Sequence, residues 1–263
     1  MSNVASTLLT LVLAGLLTLA AYTDAWLVAA VVVVTQLLIA LAPMPVVDDV
    51  VEVPKVATVA GAGLVATALS MWPEVLEGAD GTSAKVFGHA DNGMIASIMP
   101  AIVVGVFIAL ATQMLRTDGR THLVSTTAYS VALAVLAALT VGWIGAVQSF
   151  GDAEVVAVGA AGVTAGVLVW LIPIDRWVCG SAAMVAGGVA GAVVVLNVDT
   201  AMTWVLGVAL GSTAALFAVL GQLLGRSWAE GSSHPAAAWG LPGALAIALA
   251  APIVYIAGQL ITL

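Results

Sequence analysis

The feature that most constrains this chain is where its charges are missing. Nine apolar runs follow one another, and no Asp, Glu, Lys, Arg or His falls at the middle of any of them. The runs are about Val4–Ala21, Trp26–Ala42, Val56–Met71, Ile95–Leu115, Leu123–Val147, Val155–Leu171, Val178–Leu196, Ala201–Leu224 and Ala236–Thr262. All 14 acids and all 6 Lys and Arg lie between the runs or at their ends. Only 8% of the residues are charged and 62% are hydrophobic, against roughly 25% charged in a soluble domain. Such a chain cannot cover a water-facing surface, so the bilayer is its expected solvent. A helix needs roughly 20 apolar residues to cross the hydrocarbon. The expected fold is therefore an all-α polytopic integral membrane bundle of about nine transmembrane helices, a single transmembrane domain over 1–263. The third run is the shortest, and whether it crosses fully is open at this point.

Lys and Arg orient the bundle, because short cytoplasmic loops collect them. With nine crossings, Lys55, Arg116, Arg120, Arg176 and Arg226 fall on one side and Lys85 on the other. This bias puts the N-terminus in the cytoplasm and the C-terminus outside. The segment 72–94, WPEVLEGADGTSAKVFGHADNGM, then lies outside as the one long polar interruption, with three spans before it and six after. Trp26, Trp72, Trp143, Trp177, Trp228 and Trp239 lie near run ends, where aromatic belts form. The first run has no basic flank of a secretory signal, since no Lys or Arg precedes Lys55, and it reads as the first span.

Several function classes lose support. A basic face is absent, so nucleic-acid binding is not expected. The single Cys179 allows no intrachain disulfide and no cysteine-based metal cluster. The chain lacks GxSxG, HExxH, EF-hand spacing and a Gly-rich phosphate loop. Midplane ionisable groups, on which proton pumps and many ion-coupled carriers depend, are missing. No internal repeat suggests a transporter of inverted-repeat type. No catalytic residue, cofactor or metal is expected.

Three sets of residues remain as candidates. The outer segment carries Trp72, Glu74, Glu77, Asp80, Lys85, His89 and Asp91, an acidic, exposed surface suited to a partner outside the membrane. On the cytoplasmic side Arg116, Arg120, Arg176 and Arg226 can meet anionic headgroups or a phosphate, and Asp175 beside Arg176 suggests a local pair at that hinge. Gly180, Gly187, Gly188 and Gly191 make a small-residue face for close helix packing. With GAAGVTAG at 159–166, that face points to the sixth and seventh runs as the packed centre, or to a homo-oligomer contact. Pro100 and Pro252 fall inside runs, where a kink could serve gating.

The Ala/Val/Gly/Leu-rich make-up, the RTDGRTHL turn and the closing ALAAPIVYIAGQL resemble uncharacterised multi-spanning membrane proteins of high-GC actinobacteria. The resemblance is one of texture over most of the chain, and RTDGR is its most specific piece. It implies the plasma membrane of a bacterium with an elaborate envelope and carries no activity. Three functions stay open on the sequence. The first is a non-catalytic scaffold or accessory subunit of a cell-envelope or membrane complex. The second is a transporter or flippase of a lipid-linked or small apolar substrate. The third is a lipid-modifying membrane enzyme. Expected partners are the lipid bilayer and another membrane or envelope protein.

Overall fold

A computed structural model describes residues 3–44, 52–72, 75, 93–115, 122–150, 153–173, 175–198, 200–231 and 239–261. Among them the regular structure is helical: α1 Asn3–Ala21, α2 Ala25–Leu41, α3 Glu52–Met71, α4 Gly93–Met114, α5 Leu123–Leu139, α6 Gly142–Phe150, α7 Ala153–Val169, α8 Arg176–Asn197, α9 Trp204–Glu230 and α10 Leu241–Ile261. Seven stretches are long and apolar enough to cross a membrane, the 123–148 stretch counting as one although it joins α5 and α6. The remaining two helices, α2 and α7, are apolar and have 17 residues each, about 25 Å at 1.5 Å per residue.

Helix starts are set by short polar side chains. The Asp24 carboxylate accepts from the Trp26 amide, Asp175 from Trp177, and Thr203 from Leu206. Each satisfies one of the amides that a helix N-terminus leaves unpaired. Asp175 is thus the N-cap of α8. The α2 C-terminus is closed from a distance. Lys55, fully buried in the first turn of α3, donates from Nζ to the Ala42 carbonyl. A cation there also suits the negative end of the helix dipole.

The bundle wears its large apolar side chains outside. Val4, Leu8, Val12 and Leu16 of α1, Met99, Val103 and Phe107 of α4, and Val185, Val189 and Val193 of α8 are all exposed. Their four-residue spacing draws one stripe on each helix. The interior is instead rich in Ala, Gly, Ser and Thr, as expected when lipid removes the hydrophobic drive and close packing replaces it. α3, α4 and α5 pack on one another, as do α7, α8 and α9. α10 lies between the groups and touches α1, α2, α5, α6, α7 and α9. Its residues from Leu241 to Ala251 are buried with the single exception of Leu249. The packed centre is therefore α10 with α6 and α7. α8, one of the two spans expected there, is peripheral: one side meets α7 and α9 while its valine stripe faces out.

The fifth run is interrupted. α5 ends at Leu139 and α6 restarts at Gly142. At that point α6 approaches α10 so closely that a Cβ on Gly142 would lie 2.5 Å from the Ala251 carbonyl oxygen. Trp143, next in line, is fully buried and donates from Nε1 to the Ile247 carbonyl at 3.0 Å. It is a core residue, not the interfacial anchor its place near a run end suggests. Pro100 and Pro252 sit inside α4 and α10, which continue through them.

Candidate functional site

Hydropathy stops the eighth run at Leu224, but α9 continues to Glu230, because Arg, Ser, Trp, Ala and Glu sustain a helix as well as the apolar residues before them. On this extra turn and a half Arg226 and Glu230 continue the side of the helix that carries Gln222, the three being spaced by four. That side faces the end of α7 and the start of α8. A cavity of about 680 Å³ forms there. Its polar wall is Arg226, Ser227 and Glu230; its apolar wall is Ile172, Leu220 and Leu224, with Trp170 between them.

Arg226 is half-buried, its guanidinium carbon 5.7 Å from the Trp170 ring centroid, within the range of a cation–π contact. One guanidinium nitrogen donates to Gln222 Oε1 at 3.3 Å. Among the described residues no carboxylate closes an ion pair on Arg226. Glu230, exposed at the rim, acts on it only through space. Gln222 is itself fully buried and ties the site to α1. Its Nε2 donates to Thr10 Oγ1 at 2.8 Å, and its Oε1 accepts from Ser6 Oγ at 3.2 Å. A second feature is the indole of Trp170. Its Nε1–H is buried and has no hydrogen-bond acceptor, which costs about 1–3 kcal/mol for a desolvated donor.

Deeper in the bundle the polar groups satisfy one another. Gln36 donates from Nε2 to Thr67 Oγ1 at 2.9 Å and to Thr140 Oγ1 at 3.0 Å. Ser70 and Ser97 hydroxyls meet at 2.8 Å, and Gln113 donates to Thr126 at 3.3 Å. These join α2 to α3 and α5, α3 to α4, and α4 to α5.

Of the outer candidates, Trp72 is described: its ring meets Trp26 edge to face, with centroids 5.4 Å apart. Both rings are about half exposed, which pairs the end of α3 with the start of α2 on one side of the bundle. Glu74, Glu77, Asp80, Lys85, His89 and Asp91 lie outside the described residues. Of the basic candidates, Arg116 and Arg120 lie outside them too. Arg176 opens α8, and Arg226 is the one whose side-chain surroundings are described. Among the described residues no group of three or more His, Cys, Asp or Glu could hold a metal ion.

The glycine face divides. A Cβ on Gly187 or Gly191 would collide with the backbone of α9 at Gly211 or Gly207, and one on Gly188 would lie 2.5 Å from Ser212 Oγ. Gly180 departs from the expectation, since a Cβ there meets nothing within 4 Å. It lies one turn into α8, before that helix converges on α9. In the sequence Gln36 and Gln222 read as polar residues inside apolar runs, Trp170 as an anchor near a run end and Lys55 as a marker of topology. For Gln222 a signal existed: an uncharged polar residue four before an arginine, inside an apolar run. No protein-family model matches the chain, and comparison with curated proteins and with solved structures finds no similar one.

Proposed function

We propose that this chain is a non-catalytic multi-pass protein of a bacterial plasma membrane, acting as a scaffold or accessory subunit of a cell-envelope complex. The observation that carries this reading is how the interior is used. Gln36, Gln222, Ser70 and Ser97 bond across helices, and glycine contacts lock α7, α8 and α9 backbone to backbone. Satisfied interhelical bonds and close backbone contact favour a bundle that keeps its shape and presents a surface. The acidic 72–94 segment is the surface proposed for an extracytoplasmic partner.

The proposed topology has nine crossings, with α5 and α6 sharing one and α2 and α7 crossing as short helices at the lower end of the usual length. The N-terminus is cytoplasmic, following the distribution of Lys and Arg. In a Cys179→Ala background, Ser83→Cys should react with an impermeant thiol reagent in intact cells. Asp118→Cys should react only after permeabilisation. The reverse pattern inverts the topology.

One observation favours a transporter or flippase instead. The α5–α6 interruption lies beside buried Gln36 and Thr140, and discontinuous helices supply binding groups at depth in many carriers. Purification in mild detergent with mass spectrometry, together with lipid-translocation assays in vesicles, separates the two readings. A stoichiometric membrane or envelope protein and no translocation support the scaffold. Protein-dependent lipid movement without a partner replaces it by the transporter.

A further inference from the structure

We infer that the cavity between the end of α7, the start of α8 and the last turns of α9 binds the phosphate of an anionic membrane lipid. The proposal does not depend on the scaffold reading, since either a scaffold or a carrier can hold such a lipid. It rests on three features of one cavity. Arg226 offers a planar fork of five N–H donors, and one of its nitrogens has a described acceptor, Gln222. That contact also orients the fork, because Gln222 is held by Ser6 and Thr10. Trp170 contributes a buried Nε1–H without an acceptor. A phosphate oxygen beside Arg226 accepts from both.

The rest of the wall decides what carries the phosphate. Leu220 and Ile172 are exposed on the outside of the bundle and also line the cavity. The cavity is therefore continuous with the lipid-facing surface, and an acyl chain can run along α9 while the headgroup meets Arg226. Free phosphate presents the same oxygens but gains nothing from Leu220, Leu224 and Ile172. Glu230 sets the charge preference. Its carboxylate stands at the rim without closing on Arg226, so it weakens an anion already bound and is the residue whose neutralisation should tighten binding.

The test uses the full chain, delipidated in detergent. Phosphatidylglycerol and chain-matched phosphatidylcholine are titrated by native mass spectrometry, with inorganic phosphate as a separate arm. Phosphatidylglycerol should bind the wild type in preference to phosphatidylcholine. Arg226→Gln should weaken it about tenfold, the loss of one charge-assisted contact. Trp170→Phe, which keeps a ring and removes the donor, should weaken it about fivefold. Glu230→Gln, at an exposed position, should tighten it about threefold. If millimolar inorganic phosphate binds in an Arg226-dependent way and displaces the lipid, the site stands and its occupant is the free ion. If Arg226→Gln does not fold, the other two variants decide. Unchanged affinity in both Trp170→Phe and Glu230→Gln, or equal binding of the two lipids, overturns the proposal.

Discussion

Gly162 of α7 and Gly211 of α9 meet backbone to backbone: a Cβ on Gly162 would lie 2.5 Å from the Gly211 carbonyl oxygen. From the other side Gly187 and Gly191 of α8 press on the same residue. Gly211 is thus the point where three helices share the space that one side chain would fill. Any larger residue there must push at least one helix away.

Gly211→Val should therefore lower stability by about 1–3 kcal/mol, the usual cost of overpacking. Gly180→Ala, in the neighbouring helix but facing open space, should be neutral or stabilising by up to about 1 kcal/mol through helix propensity. Thermal unfolding in detergent followed by circular dichroism measures both. Equal losses at the two positions would mean that the α8–α9 contact is not the close one described.

Gln36 links three helices, so Gln36→Leu should cost about 1–2 kcal/mol, the upper range for hydrogen bonds between membrane helices. Gly63 tests the same group from outside, since a Cβ on it would lie 2.8 Å from Gln36 Cδ. Gly63→Ala should displace the amide, and its cost should shrink in a Gln36→Ala background. Strict additivity in that double-mutant cycle would show that Gly63 does not crowd Gln36.

How far this arrangement could be read from sequence differs between its parts. Run boundaries follow hydropathy, and α1 and α2 begin and end within a residue of the expected limits. The misses have a common origin. Hydropathy reports the solvent of a residue, not the end of its helix. α3 therefore begins at Glu52 rather than Val56, and α9 runs on past Arg226 to Glu230. The gap between α5 and α6 carries no proline and leaves no mark in composition, because it is made by the approach of Gly142 to Ala251. Trp170 and Arg226 lie 56 positions apart in sequence, and only the packing of α7 on α9 brings them to one cavity. The glycines of α8 were legible as a face, but which of them touch a neighbour depends on where that neighbour lies.

The two kinds of tryptophan should separate spectroscopically. Trp177 is 87% exposed on the outside of the bundle and Trp143 is fully buried. In vesicles of brominated lipid, Trp177→Phe should remove part of the quenching and Trp143→Phe should remove none. Trp143→Phe should also cost about 1 kcal/mol for the lost bond to Ile247. Quenching that disappears with Trp143 would place α6 at the bundle surface.

Lys55 offers a test of the α2–α3 junction. It is fully buried and donates to the Ala42 carbonyl, so Lys55→Met should destabilise by about 1–3 kcal/mol through the uncapped carbonyl. Were the lysine only a topological marker, methionine would fold as well as wild type and alter insertion alone. Unfolding temperature and the thiol-accessibility pattern of Ser83→Cys distinguish these outcomes.

The central place of α10 bears on how the molecule is made. The helices α1 to α9 leave the ribosome before it, yet the seats they offer one another are completed only when Leu241–Ala251 slides in among them. Until then Leu9 of α1, Gly142 and Trp143 of α6 and Gly159 of α7 stand uncovered where α10 will later lie. Biosynthesis must therefore hold an open ring of helices together long enough for its hub to arrive, and a chain stalled before Leu241 would leave in the membrane an assembly with no middle.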